Sequence, residues 1–430
     1  MTPLIGSIDP DRAKNLDYGH VRSLLEVDQA GVYTGRYGEV SISSHFQPIF
    51  SLAHRRQVGY EALMRPRQAD GTPVPPPVLL AQADSDFYSL LELDRLCRTL
   101  HIANFAGQSQ SNEWLFVNIH PEVFLQAPRL GRPESLLQRL LHEHGLDPSR
   151  LVIEVVEEAV REQGDFAEAV AFFREMGCLI AVDDFGAGHS NFDRIWRLRP
   201  EIVKLDRSVI VEAGRESHIR RVLPQLVSLL HEAGTLVLIE GVETRDEANI
   251  ALEADIDFVQ GYFFGRPAPQ LLPDNSDSTS ITDIWNDFDN RAESNRQQQR
   301  ERMAPYQNAL GYASVLLSAG RSMEEACASF LELSNSEFCY VLDAYGLQIG
   351  TNLWAVHATP NRDPRFTPVA GGTGARWARR PYFRRAIDNF GKVQVTRPYL
   401  SISSAQLCVT LSCSFKVDGE LRVLCGDVRW

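Results

Sequence analysis

The chain has 430 residues, too long for one ordinary domain, and its 44% hydrophobic and 23% charged residues suit a large packed core. A formal net charge of -13 disfavours nonspecific binding to DNA or to an anionic membrane surface, so an anionic substrate would need metal ions or local arginines. Seven cysteines with no CxxC pair argue against both a disulfide framework and a zinc site.

The first residues include acids and no apolar stretch flanked by basic residues, so they do not read as a signal peptide. No apolar run approaches the roughly 18 residues that span a bilayer, and a cytoplasmic protein without membrane insertion is expected. Residues 1–40 carry one short amphipathic piece around Val21–Leu25 and read as an N-terminal extension. Over residues 41–270, short β-branched runs then alternate with stretches of helical period, the pattern of repeated βα units. The predicted strands are His45–Phe50, Val58–Leu63, Trp114–Ile119, Leu151–Val156, Leu179–Asp183, Ile202–Leu205, Leu236–Glu240 and Phe258–Tyr262. Eight is the number that closes an α/β barrel of the TIM (β/α)8 type.

Between strands, Asp165 is predicted to cap a helix carrying Phe166, Val170, Phe173 and Met176 that stops at Gly177. A second helix puts Ile219, Val222, Leu223, Leu226, Val227 and Leu230 on one stripe, with Pro224 expected to kink it or hold its first turn. Past Arg266–Pro267 the composition turns to Pro, Asp, Ser and Asn, and residues 271–304 read as a linker and connector helix. Residues 305–430 read as a smaller α+β domain, with a helix over Ser322–Leu333 and strands at Cys339–Leu342, Lys392–Val395, Gln406–Phe415 and Leu421–Val428.

In a closed barrel the carboxyl ends of the strands carry the chemistry. Glu61 ends the second strand, and Asn118 lies near the end of the third. Glu154 sits in the fourth, with Glu157 three residues on. Asp183 and Asp184 close the fifth, Lys204 the sixth, Glu240 the seventh and Gln260 the eighth. Taken singly each is a strand-end charge, a turn pair or a solvated helix start. Together they send carboxylates, amides and a lysine to one mouth, where the acids would repel one another unless cations neutralise them. Oxygen ligands without His or Cys point to Mg²⁺ or Mn²⁺, and adjacent aspartates offer a bridging position for two metals. Such a site suits phosphodiester hydrolysis. An enolase-like barrel abstracting a proton with carboxylates and a lysine fits the bare constellation as well.

The motifs decide between these. Phe46-Gln47-Pro48-Ile49, Glu61-Ala62-Leu63-Met64-Arg65, Leu93-Asp94-Arg95, Val117-Asn118-Ile119, Ile153-Glu154-Val155-Val156-Glu157, Asp183-Asp184-Phe185-Gly186-Ala187-Gly188, Val203-Lys204-Leu205-Asp206, Glu240-Gly241-Val242-Glu243-Thr244 and Gln260-Gly261-Tyr262-Phe263-Phe264-Gly265-Arg266-Pro267 follow in order. Over residues 20–270 the chain resembles the EAL-domain cyclic-di-GMP phosphodiesterases. The resemblance implies a modified (β/α)8 barrel whose first strand runs against the others, and metal-dependent hydrolysis of cyclic-di-GMP to linear 5′-pGpG.

It further implies that Glu61, Asn118, Glu154 and Asp183 hold one metal and Asp183, Asp184 and Glu240 a second. Lys204 and Gln260 would position the attacking water, and Glu240 would serve as ligand or general base. Arg65, with Gln47, Leu63 and Asp94, would grip a phosphate or guanine edge, and the loop through Tyr262 and Pro267 would line a guanine pocket. Glu157, Gly186 and Gly188 would couple homodimerisation to the metal site. His189 and Asn191 stand where the family more often has Tyr and Ser. Members that have lost catalysis usually lack a ligand and persist as cyclic-di-GMP receptors; this chain keeps the set, so an active enzyme is expected, with a silent receptor or scaffold as the alternative.

In the C-terminal domain, Trp377-Ala378-Arg379-Arg380-Pro381-Tyr382-Phe383 resembles the signature of PAS-related Cache sensor domains. Arg380 would then hold a ligand carboxylate through a bidentate pair. The plain alternative is a basic helix face on an acidic protein.

Overall fold

The computed structural model describes residue 12 and residues 15–430, apart from 110–111, 131–135, 157–162, 188–191, 274–278, 359–371 and 405. The chain forms two compact units, 1–290 and 291–430.

In the first unit, ten strands hydrogen-bond in the order β1-β2-β3-β10-β9-β8-β7-β6-β5-β4. They are β1 (Leu25–Val27), β2 (Tyr33–Tyr37), β3 (Val40–Ser51), β4 (Arg56–Arg67), β5 (Trp114–Asn118), β6 (Leu151–Val156), β7 (Leu179–Phe185), β8 (Ile202–Leu205), β9 (Leu236–Ile239) and β10 (Phe258–Val259). A further β3–β4 pairing closes β3 to β10 into an eight-stranded barrel. β3 is antiparallel to both neighbours, whereas the other barrel pairs are parallel. The eight strands expected from the sequence and the reversed first strand are thus both present.

The barrel strands read as continuous apolar runs because helices cover the outside while side chains fill the inside. Ile49, Phe116, Val152, Ala181, Ile202, Leu238 and Phe258 form a separate buried cluster across seven of the strands. Side chains on a strand return to the same face every second residue. The residues two positions along from those of β5 to β10 are therefore Asn118, Glu154, Asp183, Lys204, Glu240 and Gln260. An apolar plug forms the floor, and the polar set is the next layer above it.

The segment read as an extension builds onto this barrel. β2 pairs antiparallel with the start of β3, Gly35 opposite Ile42, and Tyr18 and Val21 of the helix Tyr18–Ser23 are buried in the main core. The helix expected to start at Asp165 begins at Gln163. Pro224 lies inside the helix Ser217–Glu232, whose buried residues are Leu223, Val227 and Leu230, while Val222 is exposed.

The second unit holds β11 (Ser336–Leu342), β12 (Gln348–Trp354), β13 (Gln394–Val395), β14 (Tyr399–Leu400), β15 (Leu407–Val417) and β16 (Glu420–Arg429). They form an antiparallel sheet in the order β12-β11-β16-β15-β13, with β14 also on β15. Strand alternation splits its core in two. Cys339, Leu411, Cys413 and Leu424 face Leu310, Leu317 and Phe330 of the helices, while Phe338, Tyr340, Val423 and Cys425 pack with Tyr382, Phe383 and Ala386 of the helix Pro381–Asp388. Residues 271–304, read as a linker and connector helix, lead into a continuous helix over Thr279–Ser318, and the boundary between the units falls within it.

Candidate active site in the barrel mouth

Glu61 lies on β4 opposite Gln47 of β3. Amides fix both of its oxygens: Asn118 Nδ2 donates to Oε1 at 3.0 Å and Gln260 Nε2 to Oε2 at 2.8 Å. Asn118 reaches Glu61 from the adjacent strand β5, whereas Gln260 follows β10 and meets Glu61 only because the β3–β4 pairing closes the barrel.

Lys204 sits at the centre of the mouth, fully buried. Its Nζ lies 2.5 Å from Glu154 Oε1, 2.5 Å from Glu240 Oε1, 3.2 Å from Asp183 Oδ1 and 3.9 Å from Glu61 Oε2. Burial alone would lower the lysine's pKa, but Asp183, Glu154, Glu240 and Glu61 overcome it and hold the ammonium well above its usual range. Burial raises Glu154 well above an ordinary carboxylic acid against the pull of Lys204, and takes Glu240 up to about 8. Asp184 is raised by burial and by Asp183 beside it. One ammonium thus faces four carboxylates, with Asp184 beside Asp183, more acids than a single cation can neutralise.

Asp183 and Asp184 are neighbours and in a regular strand would point to opposite faces. The β7–β8 register shifts between Val182 and Phe185, and Asp184 takes φ +58°, a conformation few side chains adopt. This local irregularity brings oxygens of Asp183, Asp184 and Glu240 within 4.8 Å of one another. Gly186, at φ +102°, follows closely; a Cβ there would lie 2.7 Å from Val209 Cγ2, so only glycine fits without a shift.

The donor set fits a hard divalent cation: all oxygen, rich in acids, with three oxygens converging and Glu154 Oε2 buried without a hydrogen-bond donor among the described residues. Asp183, Asp184 and Glu240 could hold one ion. The other group implied by the resemblance, Glu61, Asn118, Glu154 and Asp183, surrounds the Lys204 ammonium, save that Asn118 reaches it through Glu61.

The substrate-side residues divide. Gln47 donates through Nε2 to Gly265 O at 3.2 Å, tying β3 to the loop after β10. Arg65 is half-buried; desolvation lowers its pKa while Tyr262 and Glu61 hold it up, and its Nη1 donates to the Met64 carbonyl at 2.9 Å. Leu63 is partly buried on β4. Tyr262 is exposed with the Arg266 guanidinium 4.2 Å above its ring, and the Pro267 carbonyl lies 3.4 Å from His45 Nδ1. Asp94 is buried inside the helix Phe87–Ala106, paired with Arg98 at 2.5 Å, and accepts from His120 N at 3.0 Å, so it props the loop that follows Asn118. Glu157 and Gly188, with His189 and Asn191, lie outside the described residues. No helix among the described residues is long and apolar enough to cross a membrane.

Comparison with known proteins agrees with the barrel fold. The cyclic di-GMP phosphodiesterase RocR of Pseudomonas aeruginosa is 28% identical over 266 residues, 60% of this chain and 64% of RocR. The bifunctional diguanylate cyclase/cyclic di-GMP phosphodiesterase MucR of the same organism is 29% identical over 235 residues, 53% of this chain. The match spans 33% of MucR's length, so much of that relative lies beyond it. The crystal structure of YkuI from Bacillus subtilis, a protein with an EAL domain in complex with substrate cyclic-di-GMP and calcium, superposes with a TM-score of 0.74 over 90% of this chain and 96% of YkuI. At 21% identity that likeness shows a shared fold. The EAL domain pattern itself matches residues 39–267, more than half of the sequence, and this chain belongs to the EAL domain family.

Proposed function

We propose that the chain hydrolyses cyclic-di-GMP to linear 5′-pGpG with Mg²⁺ or Mn²⁺ in the barrel mouth. The observation that carries this is the convergence of Asp183, Asp184 and Glu240 beside Glu61 and Glu154, with negative charge in excess of what Lys204 neutralises. Bound there, divalent cations would lower the pKa of a water and offset the charge that builds on the phosphate. Water adds to one phosphorus, the P–O3′ bond breaks, and the 3′-oxygen leaves as the alcohol. Lys204 and Gln260 orient the water, Gln260 also holds the Glu61 carboxylate, and Glu240 serves as metal ligand or general base. Arg65 faces the substrate phosphate or guanine edge with Gln47 and Leu63 beside it, while Tyr262 and Pro267 border the guanine. Asp94, held by Arg98, acts by positioning the loop after β5.

The same reading makes the second unit a PAS- or Cache-like sensor and the working form a cytoplasmic homodimer, with the stretch around Glu157, Gly186 and Gly188 coupling dimerisation to the metal site. Its support is an antiparallel sheet with helices on both faces. Incubation of the purified chain with cyclic-di-GMP and Mg²⁺ or Mn²⁺ is expected to yield pGpG. Tight binding without product in either metal would make the barrel a receptor instead.

A further inference from the structure

β3 is antiparallel to the other barrel strands, so its inner face rises toward the mouth as the chain is followed backwards. Ile49 lies in the apolar plug, Gln47 stands opposite Glu61 one layer up, and His45 stands opposite Leu63 one layer farther out. The β3–β4 register stays regular from Ser41 to Ile49, so the alternation is unbroken. His45 therefore points into the mouth, in the layer above Glu61.

The loop after β10 holds this ring in place. Phe46 and Ala268 exchange backbone hydrogen bonds, the Phe46 N–H donating at 2.7 Å and its carbonyl accepting at 3.1 Å, and Gln47 Nε2 donates to Gly265 O. His45 Nδ1 meets the Pro267 carbonyl at 3.4 Å. A carbonyl only accepts, so Nδ1 carries the proton and Nε2 of the neutral ring is a bare acceptor. Burial lowers the pKa of this half-buried imidazole; the Pro267 carbonyl opposes that, and Arg65 and Arg67 lower it further, so the neutral ring prevails in neutral solution. No donor among the described residues reaches Nε2.

A bare acceptor on a fixed ring selects for a donor. Guanine presents N1–H and its 2-amino group along one edge, whereas adenine presents the N1 lone pair there, which would face the lone pair of Nε2. We propose that His45 is a specificity-determining residue of the barrel mouth, its Nε2 accepting an N–H from that edge of the bound guanine. The assignment rests on the cyclic-di-GMP reading of the barrel. A His45 that only tied down the loop would, when lost, weaken every ligand alike, whereas an acceptor that reads the base changes the ratio between ligands.

The test compares the full chain with His45→Phe, which keeps a ring without an acceptor, and His45→Gln, which returns an acceptor near the Nε2 position. Calorimetric titration with Ca²⁺ present gives affinities for cyclic-di-GMP, cyclic-di-AMP and 2′-deoxy cyclic-di-GMP, and the product assay with Mg²⁺ gives kcat and KM. The preference for cyclic-di-GMP over cyclic-di-AMP is expected to shrink about tenfold in His45→Phe, with KM raised and kcat changed less than about twofold, and to return in part in His45→Gln. An unchanged preference in His45→Phe overturns the proposal, and so does a loss confined to discrimination against the 2′-deoxy analogue, which would give Nε2 to a ribose hydroxyl. With pGpG still formed by the wild type, either result leaves the proposed function standing. Absence of pGpG with the shift in preference intact removes hydrolysis and keeps the assignment, whereas failure of every cyclic dinucleotide to bind overturns both.

Discussion

The barrel mouth and the second unit each bury carboxylate, and they deal with its charge differently. In the mouth, four acids surround one lysine with Asp184 beside them, and the remaining charge is left for something from solution to neutralise. In the second unit, one acid, Asp427 of β16, is calmed by hydroxyl and thiol donors and by a raised pKa, while Arg380, lining the same cleft, lies against the Trp377 and Tyr399 rings. The difference shows that burial alone does not mark a functional acid. What matters is whether the surrounding charges balance without a ligand, and in the mouth they do not.

Four measurements sharpen or break this contrast. Replacing Glu61 by Ala removes the carboxylate that Asn118 and Gln260 orient, and turnover should fall by at least about 10³-fold in the product assay, on the scale of losing one preorganised charge-stabilising group. An unchanged rate would mean that the metal assignment is wrong.

Lys204→Met leaves Glu154 and Glu240 buried without their ammonium, so urea unfolding should show a loss of about 3–5 kcal/mol, as for other broken buried pairs. Added Mn²⁺ should restore part of it by supplying charge to the same acids. Stability that stays at the wild-type value would show that the lysine is not their counter-ion.

Gln260→Leu keeps volume but frees one oxygen of Glu61. Mn²⁺ affinity, followed by titration, should drop by about 10–100-fold, the usual cost of losing an outer hydrogen bond to a ligand.

The smallest effect per step lies in the second unit. Asp427 has a folded-state pKa of about 7 against 3.8 as the ordinary value, so the folded form keeps a proton that the unfolded form releases. Its contribution is fully present below pH 3.8 and is lost as pH rises through 7, by on the order of 1 kcal/mol per pH unit in that window. Asp427→Asn should flatten this dependence in denaturant melts taken across the range. A slope equal to that of the wild type would assign the titration to another group.

Much of the first unit was legible in the sequence because barrel strands buried on both faces must be apolar along their whole length, which leaves a polar residue at a strand end conspicuous. Asn118, Glu154, Lys204 and Gln260 stood out for that reason. The strands that escaped notice have the opposite character. β1 and β2 are short and mostly exposed or half-buried, and β12 has three consecutive exposed residues, Ile349 to Thr351, so none carries an alternating pattern. The connector helix, by contrast, was expected, because Gln, Arg and Glu are good helix formers whatever their exposure. Asp94 looked like a substrate contact by its motif, and its pairing with Arg98, four residues on, is a helical neighbour relation that the spacing itself allowed.

By itself the sequence determined the eight-stranded barrel and the residue types at the mouth through periodicity and composition, and the family through its ordered motifs, all properties that survive without coordinates. Only the tertiary structure decided which charges meet. Lys204 stands among acids from four other strands, Asp184 turns toward Asp183 through a positive φ and a shifted register, and His45 meets the carbonyl of Pro267, 222 positions away along the chain. Electrostatic interaction depends on distance and on the water excluded between groups, and both are set by closure of the sheet and by packing rather than by order along the chain.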